Sequence, residues 1–174
     1  MSYQAEVVGW RDFYILAGTA SATLVGLLFV GLSLHLRIVV TTSEVRSLAR
    51  VTLANFGAVL FVALFLVIPE GPSDAGWQLI GAGLVSLVVA APSLISAVRS
   101  REWTFQMSLM QRVRVTLRFG LSGVGYLAII VAGALLQSSL TAAFTVLLIT
   151  TLVLLFVSLR NTWDLLVTVA DVTQ

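Results

Sequence analysis

Four polar side chains in this sequence of 174 residues could bind a proton, a metal ion or a polar partner. His35 is the only histidine, and Asn55 lies inside a long apolar run. Asn161 and Asp164 are three residues apart and therefore share one face of a helix. A histidine at a helix end could sense pH, and a buried amide could hydrogen-bond to another helix. We expect the simpler roles: His35 at a membrane interface, Asn55 between helices, and Asn161 with Asp164 on a solvated helix end.

Residue types needed for several kinds of catalysis are absent. The chain has no cysteine, which excludes disulfides, thiolate catalysis and cysteine-ligated metal centres. All ten basic residues are arginine, so no lysine could hold a Schiff-base cofactor. The sequence contains no HExxH, GxSxG or P-loop motif. We therefore expect no catalytic residue, no cofactor and no metal site, and the net charge of +2 predicts no nucleic-acid partner.

The composition predicts membrane helices as the elements that carry the polar residues. Hydrophobic residues make up 59% of the chain and charged residues 10%, against about 25% charged residues in a soluble domain. Long apolar runs predict an all-α bundle with five transmembrane helices in a single domain, 1–174. The predicted helices are 13–37, 43–68, 76–98, 112–136 and 141–168. No Asp, Glu, Lys or Arg lies at mid-bilayer depth, which argues against a proton-driven transporter.

Arginine placement predicts the orientation of these helices. Nine arginines flank the first and third connections or follow the fifth helix, whereas Arg11 alone lies on the opposite side. Basic residues concentrate on the cytoplasmic side of membrane proteins. We expect the N-terminus outside, the C-terminus in the cytoplasm, and the protein in the bacterial cytoplasmic membrane.

Small residues recur at three- and four-residue steps on three of the predicted helices. The stripes consist of Gly18, Ala22 and Gly26 on the first helix, of Ala82, Ser86, Ala90, Ser93 and Ala97 on the third, and of Gly125, Ala128 and Ala132 on the fourth. Small side chains let a second helix approach closely and gain van der Waals contacts. We expect packing within one chain for most of them and packing between subunits for the rest.

The third connection, 100–118, has the densest positive charge in the chain. Apolar side chains recur there at three- and four-residue steps, beginning with Trp103, Met107 and Met110. The arginines in and beside this stretch are Arg99, Arg101, Arg112, Arg114 and Arg118. A basic amphipathic stretch could bind anionic lipid at the cytoplasmic surface. The alternative is a cytoplasmic extension of the fourth helix with solvated arginines, and the sequence leaves both open.

Two segments resemble a known group of proteins. Residues 20–34, ASATLVGLLFVGLSL, resemble the opening helix of small multi-pass bacterial membrane proteins of unassigned function, and residues 161–167, NTWDLLV, are similar to their last helix. Some of these proteins are labelled modulators of a membrane AAA protease. The resemblance implies a helical membrane protein that acts on another membrane component, and it implies no catalytic residues.

These observations favour one class of function over two others. The favoured class is a non-enzymatic accessory, regulatory or scaffold component of the membrane that acts through helix packing. The alternative is a homo-oligomeric channel or facilitator whose pore forms between subunits. An enzyme is the least supported. The expected partners are the lipid bilayer and either further copies of the chain or another membrane protein.

Overall fold

A computed structural model describes residues 3–68, 71–103, 109–138 and 142–172. These residues form α1 (Tyr3–Leu34), α2 (Leu36–Thr41), α3 (Ser43–Val67), α4 (Pro72–Trp103), α5 (Leu109–Gln137) and α6 (Ala142–Val172). All helices but α2 are long and packed against one another. The expected all-α bundle is therefore confirmed.

The five long helices are typical of a membrane-embedded protein. Each contains an apolar stretch long enough to cross a bilayer, and the shortest of these stretches, Phe119–Gln137, has 19 residues. At 1.5 Å per residue it is about 28 Å long, close to the thickness of the hydrocarbon core. The expectation of five candidate membrane helices is confirmed on length and composition.

Helix α3 is the centre of the bundle. It packs against α1, α4 and α6, while α5 packs against α4 and α6. Within an 18-residue apolar window of each helix, 56% of the residues are buried on α3 and only 22% on α1. The residues buried on α3 surround much of the helix, and they include Val51, Thr52, Ala54, Asn55, Phe56, Ala58 and Val59. Because α1 is peripheral, most of its surface faces the surroundings.

The long helices run antiparallel in sequence order, so the bundle has two ends. The start of α1 meets the start of α6 at one of them, where Tyr3 and Phe144 have ring centroids 5.9 Å apart. We call this the Tyr3 end. At the opposite end, the His35 end, Leu28, Val45 and Leu165 from three helices belong to one apolar cluster.

The first helix differs from its expected extent at both ends. It begins at Tyr3 rather than near 13, because Tyr3, Val7 and Trp10 recur on one face and pack against the core. The indole of Trp10 also donates to the Glu6 carboxylate over 3.3 Å. At the other end the helix stops at Leu34, and the short α2 follows.

Candidate functional site

The most completely bonded polar group of the described core is a cluster on α3 and α5. The side-chain amide of Asn55 donates to Ser122 Oγ over 3.0 Å, and the Tyr126 hydroxyl donates to Asn55 Oδ1 over 2.6 Å. All three side chains are buried. In an apolar interior these bonds hold the two helices in one register. This is the interhelical role expected for Asn55.

A further buried hydrogen bond joins α1 to α3. The hydroxyl of Ser21 donates to the backbone carbonyl of Phe56 over 2.6 Å. Ser21 belongs to the buried seam of α1 with Tyr14, Ala17 and Leu28, whose spacing matches the heptad of packed helices. The position of Ser21 in that heptad is visible in the sequence.

The closest helix contact lies between α4 and α5. A Cβ atom built on Gly76 would lie 2.8 Å from the carbonyl oxygen of Gly133, and one built on Gly133 would lie 2.6 Å from the carbonyl oxygen of Gly76. A Cβ atom built on Gly83 would likewise lie 2.6 Å from Cγ1 of Ile130. These glycines let the two backbones touch. They lie outside the predicted stripes, since Gly76 and Gly83 are seven residues apart rather than four.

The predicted stripes on α4 and α5 mostly face the interior of the chain. Ala82, Ser86 and Ala90 are buried on α4. On α5, Ala132 is buried, Ala128 is half-buried, and a Cβ on Gly125 would lie 2.7 Å from Leu154 Cδ2 of α6. The side chain of Ala97 lies outside the described residues.

The predicted stripe on α1 is divided between the interior and the exterior. Gly18 is buried, and a Cβ built there would lie 2.9 Å from Ala63 Cβ. Ala22 and Gly26 are exposed, and a Cβ on Gly26 would have no atom within 4 Å. The physical reason is helical rotation, because each four-residue step advances about 40° around the axis. Two steps carry the stripe away from α3.

The exposed side of α1 combines small and aliphatic residues. We define the outer face of α1 as Leu16, Thr19, Ala22, Thr23, Gly26 and Val30, all of which are exposed. The hydroxyl of Thr19 donates to the carbonyl of Ile15 over 2.8 Å, and that of Thr23 donates to the carbonyl of Thr19 over 2.9 Å. These local bonds satisfy the hydroxyls, so the face can contact lipid or another apolar surface.

The polar residues near the end of α6 do not share one environment. Asn161 is fully buried, Asp164 is half-buried, and Arg160 is exposed. Neither Oδ1 nor Nδ2 of Asn161 has a hydrogen-bond partner. The expected solvated helix end therefore describes Arg160 and does not describe Asn161.

His35 is the residue at which the first long helix is interrupted. Its backbone, with φ −124° and ψ 32°, leaves the helical region, and α2 begins at the next residue. Its half-buried ring places Nδ1 3.3 Å from the carbonyl oxygen of Gly31. Ile38 and Val39 of α2 then pack against the cluster of Leu28, Val45 and Leu165. His35 thus separates α1 from α2.

Several expected features fall outside what the structure describes. Residues 104–108 are not described, and neither are the side chains of residues 97–118. The proposed lipid-binding arginines, Arg99, Arg101, Arg112, Arg114 and Arg118, all lie in that stretch. Among the described residues, no three His, Asp or Glu side chains come together as a metal site.

A small apolar crevice of about 160 Å³ lies between α3 and α4. Gly57 and Phe61 line it from α3, and Val85 and Val89 line it from α4. Ser86 is the one polar residue of its lining, so the crevice offers mainly van der Waals contacts. Comparison with family models, with curated proteins and with solved structures finds no match to this chain.

Proposed function

We propose that the protein is a non-enzymatic component of the bacterial cytoplasmic membrane that regulates or scaffolds another membrane protein through helix packing. The outer face of α1 is the single observation that supports this proposal most strongly. It presents small side chains on the least buried long helix, and Gly26 has open space above it. The tightly packed glycines, such as Gly76 and Gly133, already make contacts within the chain.

The physical basis is the way helices associate in lipid. The hydrophobic effect does not draw two membrane helices together, so association depends on close packing and on interhelical hydrogen bonds. Gly26 lies one turn from Ala22 on the outer face of α1, and these two small residues allow the backbone of a partner helix to approach. The aliphatic residues Leu16 and Val30 of the same face would flank that contact. The face is therefore suited to a partner helix.

The distribution of charge supports an orientation with the N-terminus outside. Arg37, Arg46 and Arg50 are exposed at the His35 end, as is Arg160. Arg11 lies toward the Tyr3 end. The positive-inside rule would place the His35 end in the cytoplasm. In that orientation the arginines of 99–118 would meet the anionic inner leaflet, where they could bind lipid.

A second candidate is a homo-oligomeric channel or facilitator with its pore between subunits. The observation that favours it is the presence of Thr19 and Thr23 together on the outer face of α1. A ring of subunits that packed α1 around an axis would line that axis with hydroxyls. This candidate requires several copies of the chain, because the core of one chain is filled by side chains such as Tyr126 and Phe144.

Photo-crosslinking in native membranes tests both candidates. A photoreactive amino acid replaces Thr23 on the outer face of α1 or, as the matched control, the exposed Val124 on α5. We expect a discrete product from position 23 only. A product with a second protein supports the accessory role, and a membrane AAA protease is one partner that the sequence resemblance suggests. A product between copies, together with solute flux, supports the channel. Equal products from both positions, or none, would contradict both.

A further inference from the structure

The two asparagines of this chain have opposite surroundings. Both side chains have 0% exposure. Asn55 donates to Ser122 and accepts from Tyr126, so both ends of its amide are bonded. Asn161 is equally buried, and neither end of its amide has a partner within the described protein. The buried amide without a partner therefore lies on α6, near the His35 end.

Ser158 repeats the pattern one turn earlier on α6. It is three residues from Asn161, so the two side chains share a face, and its Oγ is also buried without a partner. The same face continues with the buried Leu154 and Leu165. Ser158 and Asn161 therefore form a two-residue polar patch within an apolar seam, which we call the α6 polar patch.

The surroundings of the α6 polar patch are apolar. Leu165, one turn beyond Asn161, packs in a cluster with Leu28 of α1 and with Val45 and Leu48 of α3. An amide among such groups is costly unless it is hydrogen-bonded. The apolar side chains of that cluster supply neither donors nor acceptors. A second copy of the chain could not reach the amide without opening the bundle, because the patch is enclosed within one chain.

The chemistry of the patch defines what could bind there. The asparagine needs acceptors for two N–H groups and a donor for its oxygen, and the serine adds one donor and one acceptor. A single guest must then both donate and accept hydrogen bonds. The nearest ionisable side chains on α6 are Arg160, which is exposed, and Asp164, which is half-buried. Neither is enclosed with the patch, so a charged guest would have no counter-charge within the buried seam. Water meets these requirements, and buried waters typically bond to otherwise unsatisfied polar groups.

We propose that Ser158 and Asn161 form a binding site for buried water between α6 and the apolar cluster at the His35 end. The site is separate from the outer face of α1, so this proposal does not depend on the proposed function. It gives Asn161 a role that the sequence did not indicate. Bound water satisfies the amide.

Selective ¹⁵N-asparagine labelling tests this directly, since the chain has two asparagines and gives two side-chain amide signals. The protein is measured in lipid nanodiscs by proton-detected NMR, and the signal lost in Asn161→Leu identifies Asn161. If that variant does not fold, Ser158→Ala serves the assignment by shifting the neighbouring signal.

We expect a through-space cross-peak from water to the Asn161 amide protons and none to those of Asn55, which is the matched control. The Ser158→Ala variant should weaken the cross-peak. Absence of a water cross-peak at Asn161, or equal cross-peaks at both asparagines, would overturn the proposal.

Discussion

Tyr126 donates its phenolic hydrogen to Asn55 Oδ1 across 2.6 Å, inside the apolar core of the bundle. The same amide donates to Ser122, one turn from Tyr126 on α5. One asparagine on the central helix thus fixes the position of a neighbouring helix. The contact of α5 with α4 depends instead on shape, through Gly76, Gly83 and Gly133.

Removing the Tyr126 hydroxyl should destabilise the protein. Tyr126→Phe leaves Asn55 Oδ1 without its donor, and we expect the free energy of unfolding to fall by about 1 kcal/mol. Titration with sodium dodecyl sulfate in mixed micelles measures this change. Tyr14→Phe is the matched control, because the Tyr14 hydroxyl is buried without a partner in the described protein. An equal loss in both variants would show that the hydrogen bond has no special role.

Adding one methyl group between α4 and α5 should also destabilise the bundle. In Gly133→Ala the new Cβ would lie 2.6 Å from the Gly76 carbonyl oxygen, so the backbones must separate. We expect a loss of about 1–3 kcal/mol in the free energy of unfolding, as for other overpacked interiors.

The control for this substitution is Gly123→Ala on the same helix. Its Cβ would lie 3.8 Å from Leu94 Cδ1, an ordinary contact. Since alanine has the higher helix propensity, this variant should be unchanged or slightly more stable. Gly133→Ala and Gly123→Ala variants of equal stability would contradict the close approach of the two helices.

The hydrogen bond between α1 and α3 gives a third prediction. Ser21→Ala removes a donor that lies 2.6 Å from the Phe56 carbonyl oxygen, and we expect a loss of about 0.5–1 kcal/mol. Ser33→Ala should have no measurable effect, because the exposed Ser33 hydroxyl bonds within its own helix to Val30. The same unfolding titration compares them. A larger effect at Ser33 would argue against this packing of α1.

The proposed orientation can be tested with single cysteines, since the chain has none of its own. Ser138 is exposed at the Tyr3 end and Ser43 at the His35 end. A membrane-impermeant maleimide should label Ser138→Cys in spheroplasts and should label Ser43→Cys only after permeabilisation. The reverse pattern would contradict an N-terminus outside the cell.

Much of the architecture could be predicted from the sequence because membrane helices are local features. Apolar length predicts the spans, and a lone amide such as Asn55 predicts a hydrogen bond between helices. The additional helical turns before residue 13 were also readable, from the spacing of Tyr3, Val7 and Trp10. The interruption at His35 was not, because no proline or glycine occupies that position.

Which face of each helix packs against the rest of the chain could not be predicted in the same way. Gly18, Ala22 and Gly26 form one stripe in sequence, yet only Gly18 meets Ala63. Which part of a stripe is covered depends on crossing angles between helices, and those depend on all the contacts together. Asn161 illustrates the same limit, since a polar residue near a helix end is usually solvated and this one is buried.

The mass of the protein in directly extracted lipid nanodiscs tests most directly whether the outer face of α1 packs against a partner. We expect the wild type to carry a further chain beyond its own 18.6 kDa. Gly26→Leu should reduce the complex to one chain, whereas Gly81→Leu should not. Both glycines are exposed with no atom within 4 Å of a built Cβ, and Gly81 lies on α4. A wild type that is already a single chain, or a mass that Gly26→Leu leaves unchanged, would show that the outer face of α1 does not hold a partner.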